Sequence, residues 1–142
     1  MKESSKINGV FQIKCVNKSG RILWAKETKN LIVNDGRESM ATALSGGSNS
    51  PIESIAVGTN GAAAELENDV ITNPFSKAFE SISLVGKSVV CSYIIDFAEA
   101  NEKDIREFGI LLESADLFAR VAVPLIQKTD ALKLEGTWTI NF

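Results

Sequence analysis

The chain has 142 residues, 44% of them hydrophobic and 23% charged, a makeup that fits one globular domain and excludes a disordered chain. It contains no histidine, which removes the Ser-His-Asp triad, the Cys-His dyad, imidazole metal sites and the usual proton shuttle of neutral pH, so neither a conventional small enzyme nor a cofactor is expected. The net charge is −3, but residues 1–30 are basic and residues 31–102 are acidic, a division suited to mating with another copy or with an acidic surface; an acidic total without interleaved aromatics argues against nucleic acid.

Residues 1–6 read as a flexible polar tail without an apolar core, so no secretory signal is expected, and residues 7–142 read as one β-sandwich domain. Ile7, Gly9, Phe11, Ile13 and Cys15 alternate with polar positions, the period of a half-buried strand. The turn residues Asn17-Lys18-Ser19-Gly20 follow, and Arg21 to Ala25 returns, which predicts a hairpin over Ile7 to Glu27. Asn30 to Val33 is a short apolar piece. Asp35 with Glu38 three residues on suits an N-cap and capping box, and Gly46-Gly47 suits a stop. The spacing predicts a helix over 36–45 with Met40, Ala43 and Leu44 on its apolar face.

Ile52 to Val57 reads as a strand, followed by a plain turn at Gly58 to Gly61. Ala62 to Asn73 is acidic and weakly patterned, a surface excursion with at most a short helical turn. Phe75 to Leu84 is ambiguous: Phe75 and Phe79 have helical spacing, Ile82 and Leu84 strand spacing. Val89, Cys91, Tyr93, Ile95 and Phe97 alternate, with Val90 and Ile94 on the opposite side, as in a central strand covered on both faces. Glu107 to Leu112 and Leu117 to Val123 are two more strands, and Pro124 marks a strand edge or a bulge. Leu132, Leu134, Gly136, Trp138, Ile140 and Phe142 alternate strictly with Lys133, Glu135, Thr137, Thr139 and Asn141, the pattern of a strand with one wet face and one core face. The longest apolar run, Val121 to Ile126, is broken by a proline and far too short to span a bilayer. Short strands without a βαβ rhythm predict an all-β protein, an antiparallel sandwich or barrel with one short helix.

Chemistry-bearing patterns are sparse. Glu65 with Glu67, and Glu99 with Glu102 and Asp104, read as solvated loop charges, because glycosidic acid–base pairs need contrasting environments across a cleft and a calcium loop needs ordered Asp/Asn spacing. Cys15 and Cys91 stand alone, so zinc is not expected and two buried thiols are the simpler reading; a disulfide would require their strands to be neighbours. Arg106-Glu107 and Arg120 read as local strand pairing, with an ion pair within the sheet as the alternative.

Taken in order, the segments Asn30-Leu31-Ile32-Val33-Asn34-Asp35-Gly36, Val57-Gly58-Thr59, Ile105-Arg106-Glu107-Phe108-Gly109-Ile110, Leu117-Phe118-Ala119-Arg120-Val121, Lys128 and Trp138-Thr139-Ile140-Asn141-Phe142 follow a hairpin at Gly9 to Trp24. In this order the chain resembles small tailed-bacteriophage virion proteins of the cement, decoration or tail-fibre-associated kind; Ala62 to Leu84 has no counterpart in that pattern. The resemblance implies a multi-copy virion part with a sandwich or jelly-roll body and no catalytic residues. It points to a capsid cement protein, assembled in the host cytoplasm, that binds the major capsid protein across subunit junctions and stabilises the head. Lys2, Lys6, Lys14, Lys18 and Arg21 are the candidate contacts to an acidic capsid surface, and a homo-oligomer (dimer or trimer) is expected, with no membrane and no nucleic acid as partner. The alternatives are a tail-fibre or baseplate adaptor and, further off, a host carbohydrate-binding module using Trp24, Phe75 and Phe79.

Overall fold

The computed structural model describes residues 7–142, and the predicted tail at 1–6 lies outside them. Among the described residues the elements are β1 (Asn8–Asn17), β2 (Ile22–Ile32), α1 (Asn34–Leu44), β3 (Ile52–Gly58), β4 (Phe75–Ala78), β5 (Ser81–Val85), β6 (Ser88–Ile95), β7 (Asp104–Leu112), β8 (Leu117–Gln127) and β9 (Leu132–Asn141). The strands form one antiparallel sheet in the order β4-β3-β7-β8-β2-β1-β9-β6-β5. The protein is therefore all-β with one short helix, as its patterning predicts. The strand order is that of a curled sheet and does not single out a jelly roll.

The curl places β1, β9 and β6 opposite β7, β3 and β8. Phe11 of β1 packs on Phe108 of β7 with ring centroids 4.7 Å apart, although these strands are three places apart in the sheet. Cys91, Tyr93, Ile95, Leu134, Trp138 and Ile140 complete that layer of the core, all 1% exposed or less. The alternation of β6 and β9 is thus met, except that the outer positions Val90, Ser92 and Ile94 are half-covered rather than buried.

Two corners make the curl. At one, β2 runs beside β1 from Ile22 to Asn30 and then pairs with β8 through Leu31 and Ile32 alone. At the other, the N–H of Phe79 donates to the Glu53 carbonyl of β3 at 3.1 Å and the N–H of Glu80 donates to the Ser92 carbonyl of β6 at 2.8 Å. Two consecutive residues thus tie together the two edges of the sheet. This resolves the ambiguous stretch: Phe75 to Leu84 is one extended segment, bent at Phe79, that changes neighbours midway.

The hairpin is met. Asn17 Oδ1 accepts the N–H of Ser19 at 3.1 Å and of Arg21 at 3.0 Å, and Gly20 adopts φ +85°. The helix is met in place, but its predicted cap is not, and its predicted face is met only at Met40, which packs against the main core. Val33 is the N-cap and no side chain caps the helix, because Val33 is still bound to β8 through the Phe118 carbonyl. Gly36 is the buried residue of α1, and Leu44 is 90% exposed. A Cβ at Gly36 would fall on the Phe118 carbonyl, so the helix approaches β8 by its first turn and leaves the Ala43–Leu44 side in water. Gly46 and Gly47 donate to the Ala43 and Thr42 carbonyls, a Schellman stop. Pro124 lies where the β7–β8 register slips between Ile105 and Glu107, the bulge its presence predicts. Ala62 to Asn73 forms no helix.

Candidate functional site: a buried ion pair beneath a surface loop

Glu107 and Arg120 are fully buried, and Arg120 Nε donates to Glu107 Oε1 at 2.8 Å. Both lie on the outer side of β7–β8, away from the main core, under the loop of residues 59–74. The second carboxylate oxygen of Glu107 accepts the backbone N–H of Asn60 at 2.8 Å and of Thr72 at 3.1 Å. Arg120 Nη1 donates to Asn68 Oδ1 at 3.1 Å, and Nη2 donates to the carbonyls of Asn60 at 2.8 Å and Ala62 at 3.0 Å. Two charges taken out of water are tolerated because their remaining lone pairs and protons are used. The pair thus acts as a knot that fastens both ends of the loop to the sheet.

Packing completes it. Val33, Ala56, Ile71 and Leu117 form a small second core on this side. A Cβ on Gly58 would collide with the Ile71 side chain, the Thr72 carbonyl and Glu107, and one on Gly109 would collide with Ile71 and Leu117. The N–H of Asn34 donates to the Leu66 carbonyl at 2.9 Å, so the start of α1 joins the same cap. Four of the segments singled out in the sequence, Asn30 to Gly36, Val57 to Thr59, Ile105 to Ile110 and Leu117 to Val121, therefore meet in one place, whereas the Gly9–Trp24 hairpin, Lys128 and Trp138 to Phe142 lie elsewhere. What they share is a framework role. Arg106, adjacent to the pair, is only half-buried and stays outside it.

Lys128 is a second buried cation, 1% exposed. Its ammonium donates to Asn101 Oδ1 at 2.8 Å, the Thr129 carbonyl at 3.0 Å and the Phe97 carbonyl at 3.4 Å. Burial pushes its pKa below the ordinary lysine value, against the opposing pull of Glu99 and Asp96. It holds the 96–103 connection, whose Ala100 and Glu102 adopt φ +53° and +66°.

In that connection burial raises the Glu99 carboxyl, but its hydrogen bond from Lys77 at 2.8 Å and one from the Asp96 N–H outweigh this and hold the pKa below the ordinary 4.5. A carboxyl depressed on folding lends stability above its unfolded pKa and loses it as the pH falls through the folded value. Glu99→Gln is expected to cost about 1 kcal/mol at neutral pH. In urea titrations the gap between the two proteins should close as the pH drops below the carboxylate range; a constant gap would contradict this account.

The predicted contact residues are scattered. Lys2 and Lys6 lie outside the described residues. Lys14 is exposed on β1 between Ala25 and Glu135, so an acid interrupts the basic strip there. Lys18 and Arg21 share the β1–β2 turn, and Lys18 Nζ stands 5.9 Å from the Phe97 ring centroid. Lys133, which the sequence reading missed, stands 5.7 Å from the same ring; its place opposite Val16 follows from the β1–β9 register, which the sequence does not show. Lys18 and Lys133 thus share the Phe97 ring at one end of the sheet, with Arg21 on the adjoining turn, and Lys133 also pairs with Glu135 at 3.5 Å.

Phe79 is buried, and Phe75 packs against the core, so neither offers a sugar platform. Trp24 is half-buried at the rim of a cleft of 590 Å³ between the diverging β2 and β8, floored by Phe11, Ile13 and Cys15. Cys15 and Cys91 are free buried thiols. Their strands are separated by β9, where they face Leu134 and Trp138, so the two cannot bridge. Burial pushes the Cys91 thiol up to about 12, which keeps it protonated and unreactive. Among the described residues no group of three or more Cys, Asp or Glu is placed to hold a metal ion. No family model, curated protein or solved structure matches the chain.

Proposed function

We propose that this chain is a bacteriophage virion structural protein of the capsid cement kind, which adheres to the assembled head and adds interface that the head must lose before it opens. What supports the reading is the order of the virion-like segments along the chain, four of which converge on the Glu107–Arg120 knot. A knot of this kind gives a small body a stiff surface loop, and a stiff surface loses little entropy on docking. The major capsid protein is the proposed partner, and the Lys18–Arg21–Lys133 end is the proposed contact to its acidic surface. Many weak contacts on a repeated lattice suffice for tight overall retention.

The test uses particles of the phage that encodes the chain. The protein is expected in mature heads by electron microscopy with a labelled antibody. Heads stripped of it should open at lower temperature and recover on its addition. Reversing the charges of Lys18, Arg21 and Lys133 together should weaken rebinding at low salt. Absence from particles overturns the virion reading; labelling of the tail alone replaces the head assignment with a tail adaptor.

A further inference from the structure

Strand β5 ends the sheet. One side pairs with β6 from Ser81–Ser92 to Val85–Ser88, and among the described residues the other side has no strand beside it. Natural sheets guard such an edge with lysine, proline, a bulge or a covering loop. Ser81-Ile82-Ser83-Leu84-Val85 carries none of these, and all five residues are exposed. Ile82 is 45%, Leu84 78% and Val85 61% exposed.

Residues opposite one another in an antiparallel pair share a face. Ile82 and Leu84 therefore point the same way as their partners Cys91 and Val89, toward the inner side, where the sheet overhangs the opposing layer. Phe142 continues the inward set of β9 and is 53% exposed; Ile7 continues that of β1 and is 41% exposed. Four large apolar side chains thus lie along one overhang beside an open strand edge.

We propose that two copies of the chain join here, β5 to β5 and antiparallel about a two-fold axis, so that one sheet runs through both. The strand is its own complement. With Ser83 opposite Ser83 of the second copy, Ile82 meets Leu84 of that copy and Leu84 meets its Ile82. At each end Glu80 falls opposite Gly86 of the second copy, one position short of that copy's Lys87, so unlike charges flank the pair. A parallel pairing would instead set Glu80 against Glu80 and Lys87 against Lys87. An uncharged apolar strand bracketed by an acid before it and a base after it is what an isologous antiparallel pair requires. The inference is independent of the virion reading, since it needs only the chain itself.

Sedimentation velocity of the full-length protein over a range of concentrations tests it. The mass should rise from that of the monomer toward twice that value. Leu84→Glu, at a position already in water, should leave the circular-dichroism spectrum unchanged and weaken the dimer at least ~10-fold, because it sets an unpaired charge against Ile82 of the other copy and diagonally beside that copy's Glu80. Lys87→Glu should weaken it about three-fold by gathering like charges at both ends. A monomer at every concentration, a dimer indifferent to Leu84→Glu, or one unaffected by Lys87→Glu would each overturn the proposal.

Discussion

Arg120→Met is expected to destabilise the protein by about 3–5 kcal/mol, enough to bring a domain of ordinary stability close to its unfolding threshold. The substitution leaves the Glu107 carboxylate buried without its cation and strips the Asn60 and Ala62 carbonyls and Asn68 Oδ1 of their donors. Glu107→Gln should cost less, because the carboxamide keeps an oxygen for the Asn60 and Thr72 amides. Replacing a buried ion pair by two apolar residues is often neutral, but here the Glu107→Leu, Arg120→Met double variant should remain destabilised. The reason is that four of the knot's six bonds go to loop backbone, which an apolar pair leaves orphaned. Urea midpoints measure the ranking. Hydrogen exchange at the Asn60 and Thr72 amides identifies the mechanism: both should exchange faster in each variant while β9 amides stay protected. A double variant as stable as the native chain would show that the loop does not depend on the pair.

The ion pair shows how far the sequence could be read. Opposite charges on two adjacent predicted strands allow a cross-strand contact, and Glu107 and Arg120 make one. Their hold on residues 59–74 was not legible, because it runs through backbone amides and carbonyls that any sequence possesses. The terminal strand was legible in its middle, since a strand wet on one face and buried on the other must alternate, and Leu134, Trp138 and Ile140 do, while Leu132 is half-buried and Phe142 is 53% exposed where the strand runs past the core. The helix was legible in position and only partly in packing. Of the stripe Met40, Ala43 and Leu44, Met40 packs against the core while the other two stay in water, and the closest approach is made where a missing side chain at Gly36 lets the backbone reach β8. Phe75 and Phe79 lie four apart, a spacing shared by one face of a helix and one face of a strand; burial alternates along 75–79 as in a strand, and the change of sheet neighbours at Phe79–Glu80 is a tertiary event that no local period records. The basic residues were legible as a charge excess, but strand geometry decides which of them meet. Lys14 is carried away along β1, and Lys133 arrives from the far end of the chain.

The main core yields the other large effect. Phe11 is fully buried, and its ring lies 4.7 Å from Phe108, 4.9 Å from Trp138 and 5.7 Å from Tyr93, centroid to centroid. It joins the two layers of the curl, so Phe11→Ala should cost about 3–5 kcal/mol, far more than Leu84→Ala on the open edge. Phe11 and Phe108 should also be coupled in a double-mutant cycle by about 0.5–1.5 kcal/mol beyond their separate losses. The cavity has a further consequence. Trp138 Nε1 is buried without a hydrogen-bond partner, and its indole meets the Phe11 ring edge-on at 64°. Removing that ring opens space beside an unpaired donor and beneath the β2–β8 cleft, which Phe11 itself lines. Water has a route in and a polar partner to bind. In a Trp24→Phe background, where Trp138 is the remaining fluorophore, Phe11→Ala should shift the emission to longer wavelength while the protein is still folded. An unshifted spectrum with full loss of stability would mean that the cavity stays dry or collapses, and that the indole N–H finds its compensation elsewhere.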